Sequence, residues 1–159
     1  MASTHKKVIV RKLDRDSVNG YVGAPFLAEG KLELLNSSGM VVGIELRDVK
    51  AVFFVRDWAD TGTPFRKTFS GRPRTEGLWV RLRFKDGEVL EGMIPSDLTQ
   101  NPVEGFLINP PDTRSNTQRI FVPRTALASL EVLAVIGAAR RGRAAAAGDA
   151  RQVQLFGEG

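Results

Sequence analysis

Residues 80–94 read VRLRFKDGEVLEGMI, and this stretch decides the fold of the chain. Apolar and polar residues alternate on both sides of Asp86-Gly87, which is the pattern of two half-buried strands joined by a hairpin turn. Asp-Gly at such a turn predicts a tight hairpin in which both turn residues take positive φ. Gly92, inside the second strand, predicts a sharp bend or bulge.

The same pattern occurs a second time in the chain. Residues 8–22, VIVRKLDRDSVNGYV, align with residues 80–94 without a gap, and this alignment places Gly20 on Gly92 and Asp14 on Asp86. The correspondence continues through a third strand, a fourth strand and a short helical turn that runs into a fifth strand: residues 31–36 with 105–109, 41–46 with 118–122, and 48–55 with 126–133. Internal similarity of this kind indicates a duplicated unit. The alternative is a single irregular β-domain with coincidental similarity.

We therefore predict an all-β protein made of two tandem five-stranded small barrels that pack together, and these barrels resemble the Sm-like or SH3-like kind. Each unit alone is too small to bury a large core, and a barrel closes its few strands without a long free edge. The first unit spans residues 1–55 and the second spans residues 78–137. Residues 56–77 form a linker rich in Gly, Pro and Thr, whose aromatic residues Trp58, Phe65 and Phe69 predict that it packs on the barrels. Residues 138–159 form a disordered, flexible tail, because residues 138–150 contain no large apolar side chain.

The order of elements resembles the Sm-like small barrel. The resemblance covers most of residues 7–55 and 78–136, and it extends to tandem forms of this barrel in bacterial proteins. It implies that loops could bind nucleobases. Asp97 and Asn101 lie near the family's Asp and Asn positions but one residue off register after Gly92, and Pro123-Arg124-Thr125 stands where the family has Arg-Gly.

The last residues of the tail carry a motif of another kind. Gln152, Leu155 and Phe156 have the order Gln-x-x-Leu-Phe, and the Leu-Phe pair has nothing local to bury it. The spacing resembles the peptide by which bacterial polymerases and repair proteins hold the DNA sliding clamp, the β subunit. The resemblance implies that Leu155 and Phe156 fill an apolar pocket while the Gln152 amide forms hydrogen bonds at its rim. The alternatives are that the pair folds back on the body or that the tail is incidental.

The chain carries a net charge of +5, and many of its cations lie close together. Because side chains alternate between the two faces of a strand, Arg81, Arg83 and Lys85 are expected on one face of the strand that includes residues 80–84. Such a face can contact the phosphates of DNA or RNA without reading sequence. The alternative is an ordinary wet strand face. The candidate nucleic-acid-binding residues are Arg66, Lys67, Arg72, Arg74, Arg81, Arg83 and Lys85.

The composition argues against an enzyme. The chain has no cysteine, and His5, near the N-terminus, is its single histidine. No metal-ligand spacing, phosphate-binding loop or dinucleotide-binding glycine pattern is present, so we expect no metal and no cofactor. The absence of cysteine and of an apolar leader favours a cytoplasmic location, with association to the nucleoid if DNA is bound. No apolar run is long enough for a membrane span, so we expect no membrane contact. The oligomeric state stays open.

We therefore predict a non-enzymatic adaptor that binds the sliding clamp through its tail in DNA replication or repair. The alternative is a nucleic-acid-binding module, for RNA or DNA, with an incidental tail. A third function is a cyclic-di-GMP receptor. Arg11 and Arg15 have the Arg-x-x-x-Arg spacing of cyclic-di-GMP receptors with PilZ barrels, and Asn36-Ser37-Ser38 begins the second motif of that family. Val41 stands where that motif ends in glycine. This function ranks below the other two.

Overall fold

The computed structural model describes residues 5–58, 67–112 and 115–137, and this part of the chain is all-β. Its helical elements are three-residue 3₁₀ turns at Leu46–Asp48, Leu98–Gln100 and Arg124–Ala126. The eleven strands are β1 Lys6–Lys12, β2 Ser17–Val22, β3 Leu27–Ala28, β4 Lys31–Leu35, β5 Val41–Glu45, β6 Val49–Val55, β7 Gly77–Phe84, β8 Val89–Ile94, β9 Gly105–Ile108, β10 Thr117–Pro123 and β11 Leu127–Ile136.

The two hairpins β1–β2 and β7–β8 are built alike. Val8 pairs with Gly20 in the first, and Val80 pairs with Gly92 in the second. At the turns, the amides of Lys12 and Phe84 donate to carbonyls four residues further on, both at 2.8 Å. The prediction of two positive φ angles at Asp86-Gly87 is wrong. Only Gly87 has one (93°), because the loop holds three residues and needs a single left-handed position.

The later strands of the two halves also use one register. Leu34 pairs with Val42 as Ile108 pairs with Ile120. The 3₁₀ turns at residues 46–48 and 124–126 each run into a long strand, and β6 lies against β1 as β11 lies against β7. The two halves also share a β-bulge. In the β1–β6 pair it lies between Arg11 and Lys12, and in the β7–β11 pair it lies between Leu127 and Ser129, opposite the end of β7.

A direct strand pair joins the two halves. β10 pairs with β6, so that Phe121 lies opposite Val52 and Ile120 opposite Phe53. The result is one eight-stranded sheet in the order β3-β4-β2-β1-β6-β10-β9, with β5 on β4, beside a three-stranded sheet β11-β7-β8. Because successive side chains of a strand point to opposite faces, this pair serves two cores. Phe121 packs with Val52 in the core of the first half, and Ala51 packs with Ile120 in the core of the second.

Two features of the strands differ from the prediction. The short strand β3 was not predicted; it pairs with β4 through Leu27 and Leu32. The expectation that no long edge remains is wrong, because the ten-residue strand β11 pairs only with β7 among the described residues. The division of the chain into two barrels stays a prediction.

Both described ends of the linker contact the strands. The Trp58 indole N–H donates to the carbonyl of Val8 at 3.0 Å, and its ring meets Tyr21 edge to face with centroids 4.8 Å apart. Phe69 meets Trp79 in the same way at 5.8 Å. Phe65 and the whole of the tail 138–159 lie outside the described residues. No helix in the described ranges is long and apolar enough to cross a membrane.

The bend glycines explain how each hairpin folds over. A Cβ built on Gly92 would lie 2.8 Å from the carbonyl oxygen of Asn109 and would overlap the side chain of Ile108. Gly20 makes the equivalent approach to Leu34 and to the carbonyl of Leu35. Glycine is required at these positions because another strand crosses against the backbone.

We predict that Gly92→Ala lowers the free energy of unfolding by about 2–3 kcal/mol, because the methyl group must displace backbone as well as a side chain. Gly71→Ala is the control, since nothing lies within 4 Å of its Cβ position, and we expect a change within about 0.5 kcal/mol. Urea unfolding followed by circular dichroism measures both. Equal stabilities for the two variants would contradict the close crossing at Gly92.

Candidate functional site

The outer face of β7 carries a row of cations. Val80, Leu82 and Phe84 are buried, whereas Arg83 and Lys85 are exposed and Arg81 is half-buried. The local cause is the strand's period of two, which sends alternate side chains to the core and to the surface. The strand therefore presents its positive charge on one side, away from the core of the second half.

Carboxylates neutralise two of the predicted cations. Arg81 lies 3.2 Å from Glu91, whose side chain is only 8% exposed. Glu91 also accepts hydrogen bonds from the Phe69 amide at 3.1 Å and from the Trp79 indole at 3.4 Å, so it holds the linker to the sheet. Lys67 forms an ion pair with Glu88. Arg81 and Lys67 therefore have a structural partner and are poor candidates for phosphate contacts.

The remaining predicted cations fall into two groups. Arg66 lies outside the described residues. Four exposed side chains have no hydrogen-bond or ion-pair partner within the ranges that the structure describes: Arg72, Arg74, Arg83 and Lys85. Arg83 lies on the outer face of β7, and Lys85 follows the end of that strand in the hairpin turn. Arg72 and Arg74 precede the strand on either side of buried Pro73. These four are the cations available to a polyanion.

Lys50 is a charged residue that the sequence reasoning missed. Its side chain is 11% exposed, and its ammonium group donates to Asp86 Oδ2 at 2.6 Å and to Glu88. It also lies 5.0 Å from the centre of the Phe84 ring. Lys50 belongs to β6 of the first half, whereas its partners belong to the second, so the ion pairs cross between the halves. The available signal was a lone lysine in the apolar run Val49–Val55.

The pKa values in this cluster are shifted toward the charged forms. Burial alone would lower the pKa of Lys50, but the hydrogen bonds that its ammonium donates to Asp86 and Glu88 outweigh burial and raise that pKa. The hydrogen bond from Lys50 lowers the pKa of Asp86. Burial would raise the pKa of Glu88, but hydrogen bonds from Lys50 and Lys67 outweigh it and lower that pKa. All these groups are therefore ionised at neutral pH, which suits a structural cluster better than proton transfer.

A small cleft lies beside this cluster. Its walls include Arg11, Phe53, Lys67 and Glu88, and the Arg11 guanidinium stacks 5.4 Å from the centre of the Phe53 ring. In the shared register Arg11 occupies the position that Arg83 has in the second half. The cleft thus places an arginine and an aromatic ring together at the surface. No group of three or more His, Cys, Asp or Glu side chains suited to a metal occurs in the described part of the chain.

The residues singled out by family resemblance serve local structure. Asp97 accepts from the Thr99 hydroxyl at 2.6 Å and from the Thr99 amide at 3.1 Å, and these hydrogen bonds lower the pKa of Asp97. Asn101 accepts from the Leu107 amide at 3.2 Å. Arg124 stacks 4.5 Å from the centre of the Phe106 ring. The candidate cyclic-di-GMP-binding residues also serve local structure. Arg15 takes the positive φ of its turn, and the Asn36 side chain closes the loop before β5.

Comparison with known proteins gives one match. The model of a family of unknown function, DUF6982, matches residues 4–134. No curated protein and no solved structure matches the chain significantly. The matched range includes both halves of the fold and ends within β11.

The Lys50 cluster yields a prediction on stability. Replacing Lys50 by Met leaves Asp86 and Glu88 without their shared cation, and we expect a loss of about 2 kcal/mol at pH 7. Lys31→Met is the matched control, because Lys31 is 55% exposed and lies 3.7 Å from Glu45, so we expect a loss within about 0.5 kcal/mol. Urea unfolding of both variants measures the difference.

The pH dependence of the same variant checks the cause. Because the pKa values of Asp86 and Glu88 are lowered, these groups stabilise the fold at pH values above their usual pKa values of 3.8 and 4.5. This stabilisation is lost as pH falls through the folded-state pKa values. The raised pKa of Lys50 contributes below its usual value of 10.5 and is lost as pH rises through the folded-state value. The difference in the free energy of unfolding between wild type and Lys50→Met should therefore be largest at pH values between the carboxylate and lysine pKa values, and it should become smaller in acid. A constant difference down to about pH 2 would show that the loss of stability comes from packing instead.

Proposed function

The chain belongs to the DUF6982 family, whose function is unknown, and we propose that it is a non-enzymatic adaptor of DNA replication or repair. In this proposal Gln152, Leu155 and Phe156 bind the bacterial sliding clamp, and the β body binds DNA or RNA through phosphate contacts. The observation that carries the second part is the group of exposed cations without a partner among the described residues at and before β7.

We also propose that the two halves are tandem Sm-like barrels. The shared pairing register of β1–β2 with β7–β8, and of β4–β5 with β9–β10, supports this reading. The equivalent bends at Gly20 and Gly92 support it as well. The body would then act by binding, in keeping with Asp86, Glu88 and Glu91, whose carboxylates are occupied by ion pairs.

The clamp peptide lies beyond the last described residue, and its support is the sequence motif. Leu155 and Phe156 would supply apolar anchors, and Gln152 a polar contact. Because ordering a free peptide costs entropy, we expect modest affinity and rapid release. Such an attachment leaves the body free to hold nucleic acid near the clamp.

We predict that the full chain binds purified sliding clamp with a dissociation constant on the order of micromolar. Leu155→Ala/Phe156→Ala should abolish binding, because both anchors are lost. Val153→Ala, within the same peptide but at an unspecified position, is the control and should bind like the wild type. Surface plasmon resonance measures all three. Undiminished binding of the double variant would refute the clamp assignment.

The alternative function is a nucleic-acid-binding module with an incidental tail. It predicts affinity for single-stranded DNA or RNA that falls as salt rises and survives deletion of residues 138–159. Arg83→Glu/Lys85→Glu should weaken binding at least about tenfold and reduce the slope of log K against log salt by about 1–2. Arg47→Glu/Arg119→Glu is the control with the same charge change at exposed positions outside β7.

Fluorescence anisotropy with a labelled oligonucleotide separates these outcomes. Equal losses in both double variants would mean that only the net charge matters and that β7 is not the binding face. Absence of binding by the wild type at low salt would remove the nucleic-acid function altogether and leave the clamp proposal unaffected.

A further inference from the structure

The outer face of β7 carries a tryptophan as well as cations. Trp79 lies two residues before Arg81, so both side chains project to the outer side of the strand. Phe69 of the linker meets the Trp79 ring edge to face, with the ring centroids 5.8 Å apart. Both rings are half-buried, so each keeps part of its surface in contact with solvent. This face therefore combines aromatic rings with positive charge.

A buried carboxylate holds these planar side chains in place. Glu91 accepts hydrogen bonds from the Trp79 indole N–H at 3.4 Å and from the Phe69 amide at 3.1 Å. The same carboxylate pairs with Arg81, whose side chain remains 40% exposed. The ion pair makes Arg81 a poor phosphate ligand, but a guanidinium fixed in this way still offers a flat surface on which a base can stack. Because these groups are ordered before a ligand arrives, binding costs them little entropy.

Exposed cations lie at both ends of this row of planar groups. Arg72 and Arg74 precede β7, Arg83 lies near its C-terminal end, and Lys85 follows the strand. Proteins that bind single-stranded nucleic acid combine such charges, which attract the backbone, with planar side chains on which bases stack. The outer face of β7 has both kinds of group on one strand.

The spacing of the row favours a single strand over a duplex. Alternate side chains of a strand lie about 6.7 Å apart, because each residue advances the strand by about 3.3–3.4 Å. Bases in a duplex follow one another at about 3.4 Å in each strand, and their neighbours cover their faces. An unstacked, extended strand can place successive bases on Trp79 and Arg81, whereas a duplex cannot.

We propose that Trp79, Phe69 and Arg81 form a stacking site for the bases of single-stranded DNA, whose phosphates contact the exposed cations at the two ends of β7. This inference rests on the proposed function, because an adaptor on the sliding clamp brings the body to DNA. It adds the form of DNA that is bound and the side chains that contact its bases.

The stacking site is distinct from the loops that the family resemblance indicates. Asp97 and Asn101 flank the 3₁₀ turn between β8 and β9, and Arg124 begins the 3₁₀ turn before β11. The stacking site instead uses the outer face of β7 and the linker residue that packs on it.

The first test compares a single strand with a duplex by fluorescence anisotropy on the full chain. The probes are a labelled oligothymidylate of about 12 nucleotides and a labelled duplex of the same length. We expect the single strand to bind at least about fivefold tighter. Charge alone predicts the reverse, because a duplex carries one phosphate per about 1.7 Å of its axis.

Substitution of the ring separates stacking from charge. Trp79→Leu should weaken oligothymidylate binding about tenfold and leave the affinity for the duplex unchanged, because it removes a stacking surface and no charge. Trp58→Leu is the matched control, since Trp58 packs on Tyr21 in the first half, and it should bind both probes like the wild type. Equal losses in the two variants would contradict a site at β7.

Tryptophan emission tests stacking with the site intact. The chain contains two tryptophans, so Trp58→Phe leaves Trp79 as the single emitter. Saturating oligothymidylate should then quench the emission by about a third or more, because a stacked base touches the indole. In the Trp79→Phe protein, the remaining Trp58 should be quenched by less than about one tenth. Equal quenching of the two tryptophans would overturn the assignment.

A charge beside the row tests the path of the phosphates. Glu131 of β11 lies opposite Arg81 and is exposed. Glu131→Gln should tighten oligothymidylate binding about twofold, because it removes a negative charge next to the bound backbone. Glu33→Gln makes the same change at an exposed position of β4 and should have less effect. An equal gain in both variants would show that net charge alone is responsible.

Failure of this inference and failure of the proposed function give different results. If the wild type binds neither form of DNA at low salt, the nucleic-acid function fails and the stacking site fails with it. If the duplex binds as tightly as the single strand and the Trp79 emission stays unchanged, the function stands and the stacking site is overturned. Tighter binding of oligouridylate RNA than of oligothymidylate would overturn the assignment to DNA.

Discussion

The pairing of β6 with β10 is the constraint on which the rest of the structure depends. Among the described residues it is the one extended strand pair between the two halves, whose strands other than β3 have counterparts in equivalent registers. The alternation of side chains along the pair gives each core a residue from the other half: Phe121 enters the first core and Ala51 enters the second. Because each half has too few strands for a large core of its own, this exchange makes the two cores one cooperative body.

The Lys50 cluster reinforces that junction with ion pairs. A mostly buried lysine held by Asp86 and Glu88 links β6 to the turn of β7–β8. Those carboxylates are committed to structure, and so is Glu91, which holds Arg81 and the linker. Cations without such partners in the described ranges remain at Arg83 and Lys85. Along β7, a buried glutamate thus neutralises Arg81, whereas Arg83 has no such partner among the described residues.

The sequence predicted the strands and their equivalence because both signals are local. Alternation in residues 8–22 and 80–94 determines strand faces, and Gly20 and Gly92 mark bends that backbone crowding requires. The turn at Asp86-Gly87 was predicted in the right place but with the wrong geometry, since a three-residue loop uses only one positive φ. The strand β3 has only two residues, so it is too short to show an alternation of apolar and polar side chains.

Features that depend on the contact between halves could not be read from the sequence. Asp86 and Glu88 are distant from Lys50 in the chain, so the apolar residues on either side of Lys50 could not predict these ion pairs. Among the predicted cations, nothing in spacing separates Arg81, which a buried glutamate neutralises, from Arg83, which is exposed. The open edges of β5 and β11 likewise follow from topology, because a strand sequence does not say on how many sides it pairs.

Hydrogen exchange followed by mass spectrometry on the unmodified protein tests most directly whether the two halves form one body. The slowest amides of β1 and β7 report on the two cores separately, and each is central in its own half. Joined through β6 and β10, they should exchange with the same opening free energy and the same urea dependence, as one cooperative unit. Exchange of one half at clearly lower free energy, with the other still protected, would contradict a shared core.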